Sequence, residues 1–468
     1  MPVILVTDVL VWLLVAAAAG YTLYCRRHAH LAAPWGRVFQ SPAAMGSLVV
    51  LAVYLAIGLL DSLHFRPALE QKGANAQQAY AVEVRSVLEL ALAHLRGRNE
   101  KTYSAPLAIR SYAKELVEHP GGKQVREFPR LRFGGAHLQD EAGWALDVVQ
   151  RVLGGLAAAA VLWGLAAVAV RPLRRRWPDV RWHAALWALG GVLSLAGPAF
   201  ALALSYHVLG TDKVGQDVFY LALKSIRTSL VIGTLTTLVL LPLGIALGIT
   251  AGYFKGWVDD LIQYLYTTLN SIPGVLLIAA AVLMMQVYID SHPEAFPTAV
   301  QRADLRLLFL CIILGLTSWT GLARLLRGEA LKLSELEYIQ AAHAFGVPSA
   351  RILARHILPN VAHLVIIAMV MDFSGLVLAE AVLSYVGVGV DPSTNSFGTM
   401  INSARLEMSR DPIVWWALAT AFVFMFVLVL AANLLADAVR DGFDPRVRVG
   451  KAAATPTPAL PLAGGGGR

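Results

Sequence analysis

The sequence predicts an all-α, polytopic membrane protein of about nine spanning helices with a small, mainly helical domain outside the bilayer. Three observations carry this. Hydrophobic residues make up 57% of the chain and charged ones only 15%, where soluble domains hold about a quarter, and the mean hydropathy is +0.60. Apolar runs of the length that crosses a bilayer, about 20 residues, recur along all 468 positions. Most remaining arginines gather in short stretches between those runs.

The first run, 4–24, has no basic leader and no small-residue cleavage site, and reads as a retained span rather than a signal peptide. The second covers 42–60. The stretch from Asp61 to about Gly143 carries mixed charge and helical periodicity in "AVEVRSVLELALAHLRGR" and "PLAIRSYAKELVEH", which predicts a helical subdomain. Runs at 146–170, 184–206, 230–252 and 260–288 follow, then 305–323, 361–388 and 413–435. The sixth is overlong and contains "NSIPG", so Pro273 is expected to kink it. The final residues, 448–468, have the composition of a flexible tail.

Orientation follows from the arginines. "CRRHAH", "RPLRRRWPDVRWH" (Arg171–His183), "ARLLRGEALK" and "RDGFDPRVRVGK" all fall inside if the N-terminus is outside and the C-terminus inside, as an odd span count requires. The 61–143 segment then lies outside. The formal charge of +8 belongs to these loops rather than to a nucleic-acid surface. Cys25 and Cys311 form no disulfide framework, and the twelve histidines, His28 and His30 included, show no metal-ligand spacing. No G-x-x-x-x-G-K-[ST] motif is present to cradle ATP phosphates, and no G-x-S-x-G elbow to support nucleophilic catalysis. The chain therefore reads as a non-enzyme that binds neither metal nor nucleotide itself.

Between the seventh and eighth runs lies a polar segment, "EYIQAAHAFGVPSARILARHILPN" (Glu337–Asn360). Glu337, Ala341 and Ala344 share a helical face, and Gly346 is a natural stop. Pro348 and Ser349 restart a helix in which Arg351 and Arg355 share a side, and Pro359 is expected to end it. The product would be two short helices displaying alanines and charges at the membrane surface.

This segment resembles the EAA loop of binding-protein-dependent ABC importer permeases. Glu337, Ala341, Ala342, Gly346, Ile357 and Pro359 fill its Glu-Ala-Ala, Gly and Ile-x-Leu-Pro pattern, with Tyr-Ile-Gln between the glutamate and the alanines. Further stretches, in order, are similar to the C-type oligopeptide/dipeptide branch: "HVLGTDKVGQDVFYLALKSIRTSL", "AGYFKGWVDD", "LAEAVLSYVGVGV", "SFGTM" and "NLLADAVRDGFDPR". The resemblance covers about 207–447 and implies a type I importer permease domain there. It implies a bacterial inner-membrane subunit that pairs with a second, homologous permease, two ATPase subunits that use ATP and Mg, and an extracytoplasmic solute-binding protein. The loop at 337–360, with Glu337, Ala341, Ala342, Gly346, Arg351, Arg355 and Pro359, would dock on an ATPase and drive alternating access. In the GTDxxGRD motif, Gly210, Thr211, Asp212, Gly215 and Asp217 match, whereas Gln216 replaces the arginine. Region 1–206, four spans and the insert, falls outside the resemblance.

Two acids, Asp372 and Glu380, lie in the eighth run. Each central charge costs about 2.5–3.5 kcal/mol on insertion scales, and the apolar residues there return roughly 4–7 kcal/mol together. That near-cancellation argues against lipid on all sides. Eight residues apart, the two project about 80° from one another. They line a translocation path or fix packing by hydrogen bonds, and Glu380, which matches the branch, is the better candidate for a shared role. Gly387 and Gly389 allow tight helix contact or an outer gate. Two other classes stay in view: a secondary transporter driven by protons through Asp372 and Glu380, and an assembly or sensor protein working through 61–143. The solute reads as a peptide or, alternatively, nickel or another non-peptide.

Overall fold

The computed structural model describes residues 1–68, 80–118, 124–294, 296 and 298–443, so the expected tail at 448–468 lies outside the described residues. Strand β1 (Pro2–Val3) precedes α1 (Val6–Arg27), α2 (Ala29–Gln40) and α3 (Pro42–Asp61). The insert then holds β2 (His64–Phe65), β3 (Arg85–Ser86), α4 (Val87–Ala91), α5 (Ala93–Arg96), β4 (Glu115–Glu118) and β5 (Gln124–Glu127). A hairpin of α6 (Trp144–Arg176) and α7 (Trp182–Ala203) leads to α8 (Val218–Phe254), α9 (Gly256–Ser271) and α10 (Gly274–Ser291). Next come α11 (Ala299–Ser318), α12 (Thr320–Ser334), α13 (Glu337–Ala344) and α14 (Ser349–Ile352). The chain closes with α15 (Leu358–Val386), α16 (Phe397–Arg405) and α17 (Trp416–Phe443). Nine stretches among the described residues are long and apolar enough to cross a bilayer, in an all-α polytopic architecture.

Helix α8 is the spine. Its 37 residues are buried along most of their length against α3, α11, α12 and α15. Gly244, Gly248 and Gly252 recur every fourth residue, and a Cβ on Gly248 would stand 2.7 Å from the Ala323 carbonyl oxygen of α12. This ridge of small residues lets two backbones approach without side chains between them. The α6–α7 hairpin closes on itself at Gly155 and Gly197 and leaves Leu153, Val161, Trp187 and Leu195 exposed, a face suited to lipid.

Three expectations are corrected. Pro273 breaks the sixth run instead of kinking it. Ile272 is extended, as a residue before proline prefers, so α9 stops and α10 restarts, and of the two only α10 is long and apolar enough to span. Among its described residues the insert is not mainly helical: it has two short helices, strands β2 and β3, which join β1 of the N-terminus in a three-stranded sheet (order β1-β2-β3), and the β4–β5 hairpin, with loops between. "PLAIRSYAKELVEH" fails as a helix because its backbone pairs elsewhere: Leu107 N–H donates to His207, Ser111 to Pro129 and Tyr112 to Tyr103. Tertiary pairing overrides the helical pattern. The third concerns Pro359, described below.

The two ends of the bundle are distinct. Strand β1 pairs with β2, which puts the N-terminus, the end of α3 and the insert together. At the other end, Arg181 N–H donates to the Phe39 carbonyl at 3.1 Å and Trp35 meets Phe443 edge-on at 5.4 Å. There the Lys255 ammonium also pairs with Glu335. The arginine-bearing segments that the sequence groups together share this second end, as far as they are described.

Candidate coupling, turn and membrane-interior sites

The segment after α12 is a lever with a buried base and an exposed tip. Ile339, Ile352 and Ile357 are buried against Leu326 and Ala330 of α12. Glu337, Ala341, Gly346, Arg351 and Arg355 are exposed, and Ala342 is half-buried. Helix α13 ends in a Schellman closure: Gly346 N–H donates to His343 O at 3.0 Å and Val347 N–H to Ala342 O at 3.1 Å, with Gly346 at φ +73°. The expected stop at Gly346 is thus present, with space around it, so a larger residue would be opposed by backbone conformation rather than by collision. Pro359 does not end the second helix. Residues Leu353–Ile357 widen into a π-turn, with Leu358 N–H donating to Leu353 O, and the chain runs on into α15. A wider turn makes room for the proline ring and absorbs the missing N–H. The residue that sequence reasoning passed over is Phe345, 87% exposed at the tip. Its apolar character beside the glycine was the available signal.

At the opposite end, the Gly-Thr-Asp turn is fastened to the insert. Asp217 caps α8, accepting from Phe219 N–H at 2.9 Å and Tyr220 N–H at 3.2 Å. Its other oxygen meets His207 Nδ1 at 2.8 Å. Glu100 of the insert approaches His207 Nε2 at 3.4 Å and accepts from the backbone N–H groups of Arg132, Phe133 and Gly134 at 2.9, 2.7 and 3.1 Å. Thr211 Oγ1 donates to Thr102 O and accepts from Ser104 N–H, while Trp416 Nε1–H donates to Thr211 O at 2.9 Å. Asp212 accepts from Val214 and Gln216 N–H. Gly210 and Gly215 both have positive φ, and a Cβ on Gly215 would sit 1.9 Å from the Glu100 carbonyl oxygen. Burial alone would drive Glu100 and His207 toward their neutral forms. Burial opposes the imidazolium of His207, yet the flanking Asp217 and Glu100 carboxylates raise its pKa to about 9. Burial likewise opposes the Glu100 carboxylate, but His207 and the three backbone donors bring it down to about 2.

The two intramembrane acids of α15 are not brought together, lying roughly 12 Å apart along the helix. Glu380 is fully enclosed. Its Oε1 accepts from Ser384 Oγ at 2.6 Å and from Ser396 Oγ at 2.9 Å, and Ser396 in turn caps α16. Its Oε2 is buried without a partner among the described residues. Gly389 and Gly398 crowd the same spot: a Cβ on Gly389 would collide with Ser384, and one on Gly398 would lie 3.0 Å from Glu380 Oε1. Residues far apart in the chain thus converge on one carboxyl. Asp372 is half-buried, with no ion pair or hydrogen bond among the described residues. Gly387, at φ +88°, terminates α15. Among the described residues no group of three or more potential ligands is placed to hold a metal ion, and both cysteines are free and buried.

A multi-span helical bundle with an exposed helix–glycine–helix segment at one end has the build of a membrane transport subunit. Residues 244–449, which contain that lever, match the profile of the binding-protein-dependent transport system inner membrane component. The glutathione transport system permease protein GsiD of Pectobacterium atrosepticum is 33% identical over 244 residues, covering 52% of this chain and 74% of that protein. The oligopeptide transport system permease protein OppC of Mycobacterium tuberculosis is 31% identical over 242 residues, with 52% and 77% covered. The dipeptide transport system permease protein DppC of Lactococcus lactis is 30% identical over 240 residues, with 51% and 64% covered. Among solved structures, the inward-facing MetNI methionine ABC transporter superposes with a TM-score of 0.37 at 15% identity, covering 48% of this chain and 98% of the other. The chain belongs to the binding-protein-dependent transport inner membrane component family, in its oligopeptide/dipeptide branch. It is a multi-pass inner-membrane subunit of an ABC importer, a transporter component and not an enzyme, and its family implies ATPase and binding-protein partners.

Proposed function

We propose that the chain moves peptides or similar small solutes by alternating access, driven by two separate ATPase subunits. A second, homologous permease would complete the path, and a solute-binding protein would deliver cargo to the insert end. ATP and Mg would be held by the partner ATPases. One observation carries the coupling role: the tip at Glu337–Gly346 is exposed, while Ile339, Ile352 and Ile357 root it in the packed end of α12. Force applied to Phe345 and its neighbours would reach α12 and, through the π-turn, α15, whose rigid packing supports a two-state rearrangement. Peptide-type cargo is supported by the names of the relatives, which transport glutathione, oligopeptides and dipeptides. A proton-driven carrier using Asp372 and Glu380 gains nothing from the geometry, because Glu380 is enclosed and distant from Asp372.

The test is uptake by proteoliposomes holding the complete importer. Gly346→Val and Glu337→Trp are expected to insert at normal levels and to reduce ATP-driven uptake more than about tenfold, the scale of losing one interface anchor. Unchanged uptake with normal ATPase recruitment would remove the coupling assignment.

A further inference from the structure

The accessory region ahead of α8 carries its charge unevenly. Between Val9 and Leu60, and again between Val148 and Ala203, the only acid is Asp179. Helix α6 runs for 33 residues, about 50 Å, against a hydrocarbon core of about 30 Å, so its last turns stand in the headgroup layer. Those turns hold Arg171, Arg174, Arg175 and Arg176, all exposed and none in an ion pair among the described residues. Arg181 follows on the α6–α7 turn, where its N–H donates to Phe39 O at 3.1 Å and its Nε–H to Gln40 O at 3.4 Å. That contact seats the turn on the end of α2, one helical turn from Arg37, and exposed Arg26 and Arg27 close the helix before it. Trp177 and Trp187 stand 48% and 72% exposed on either side of Arg181 in the chain, and Trp182 Nε1–H donates to Trp177 O at 3.1 Å. The coupling end of the permease domain is built differently: Lys255, Arg327 and Lys332 pair with Glu335, Asp259 and Glu329.

We propose that this arginine surface docks the phosphodiester headgroups of anionic phospholipids in the adjoining leaflet, with Trp177 and Trp187 set in the interface beside them. Orientation in the membrane asks only for an excess of positive charge. It does not ask that arginines of separate segments be gathered, nor that they be left without counter-charges. Arg171, Arg174 and Arg175, spaced i, i+3 and i+4, share one helix face and repel one another, a cost that an anionic partner removes. A guanidinium takes a phosphate through paired, charge-assisted hydrogen bonds, and clusters of four to eight basic residues beside a span draw anionic lipid. The tryptophans and the exposed Leu173 favour a bilayer over a dissolved polyanion, because their apolar bodies need an interface to enter. All of these residues lie outside the part of the chain that matches the family profile. The lipid surface is therefore an addition of the accessory spans, and it goes beyond the transport role proposed for the permease domain.

The test titrates phosphatidylglycerol, phosphatidylcholine and soluble glycerol 3-phosphate into the full-length chain in neutral detergent, with bound molecules counted by native mass spectrometry. Phosphatidylglycerol is expected to bind more than about tenfold tighter than phosphatidylcholine near physiological salt. The two should converge at about 1 M salt, where the screening length falls from about 8 Å to about 3 Å. The double variant Arg174→Gln with Arg175→Gln should weaken phosphatidylglycerol about twentyfold, at about fivefold for each arginine, and leave phosphatidylcholine unchanged. Arg171, Arg176 and Arg181 remain in it to orient the hairpin. A control pair at the insert end, Lys101→Gln with Arg110→Gln, removes the same charge from exposed side chains and should leave phosphatidylglycerol binding as it was. Equal binding of the two lipids by the unaltered chain, wild-type phosphatidylglycerol affinity in the arginine variant, or an equal loss in the control pair would overturn the proposal. Glycerol 3-phosphate binding as tightly as the lipid would reduce the surface to a site for free anions and overturn it too. Loss of ATPase capture in the arginine variant, with phosphatidylglycerol binding intact, would assign the surface to a protein partner instead.

Discussion

The two ends of this protein are finished in opposite ways. At the insert end the chain supplies its own charged partners: Glu100, His207 and Asp217 form a buried acid–histidine–acid row, with side chains 4%, 1% and 1% exposed. Backbone donors close the remaining lone pairs. At the coupling end the chain leaves work undone, with Phe345 and a row of small and charged residues facing outward. Buried ion pairs hold only when every partner is present, whereas an exposed aromatic on a rigid base is what an interface anchor looks like before its partner arrives. One end is a joint within the chain; the other is the surface we propose for a second protein.

The sharpest way to break this contrast is to unfasten the joint. Glu100→Ala leaves a buried imidazolium and three backbone N–H groups short of an acceptor, which should destabilise the insert's attachment by about 3–5 kcal/mol. Gly215→Ala should act in the same direction through its collision with the Glu100 carbonyl. Limited proteolysis of the insert is expected to accelerate in both, while capture of ATPase subunits at the far end is retained. Loss of both together would merge the two regions into one.

Titration sharpens the same comparison. The pKa of His207 is raised from 6.5 to about 9, so its contribution is complete below about pH 6.5 and is lost as pH climbs through about 9. Glu100 is lowered from 4.5 to about 2, so its contribution is complete above about pH 4.5 and is lost as pH falls toward 2. Insert protection, followed by hydrogen exchange, should therefore be greatest between about pH 4.5 and 6.5, and His207→Gln should flatten the alkaline limb. An alkaline limb unchanged in that variant would show that another group controls it.

A smaller effect is expected at Ser396→Ala, which removes a helix cap and one of two donors to Glu380. About 1–2 kcal/mol of stability should go, read in a detergent melt, with membrane insertion unchanged. A loss no greater than that of an exposed control such as Ser403→Ala would mean that the convergence on Glu380 is incidental.

Much of this was legible in the residues. Nine apolar runs became nine spanning stretches because length and hydropathy are set by the bilayer, and Gly346 stops its helix because no other residue takes positive φ so readily. Three things were not legible for physical reasons. The insert's helical periodicity lost to pairing with His207 and Tyr103, which are distant in sequence or hidden by a turn. Pro359 passed through a helix because a π-turn, invisible in composition, absorbs it. The convergence of Ser384, Gly389, Ser396 and Gly398 on Glu380 needs α16 folded back against α15, which no local pattern encodes.

The central claim is that the Phe345 tip is a plug for an ATPase. With Cys25 and Cys311 both buried, Phe345→Cys supplies one accessible thiol for cross-linking in sealed inside-out and right-side-out vesicles. The expected result is labelling from the cytoplasmic face alone and a cross-link to the ATPase subunit. Labelling from the opposite face, or full labelling with no cross-link in an importer that transports, would contradict it.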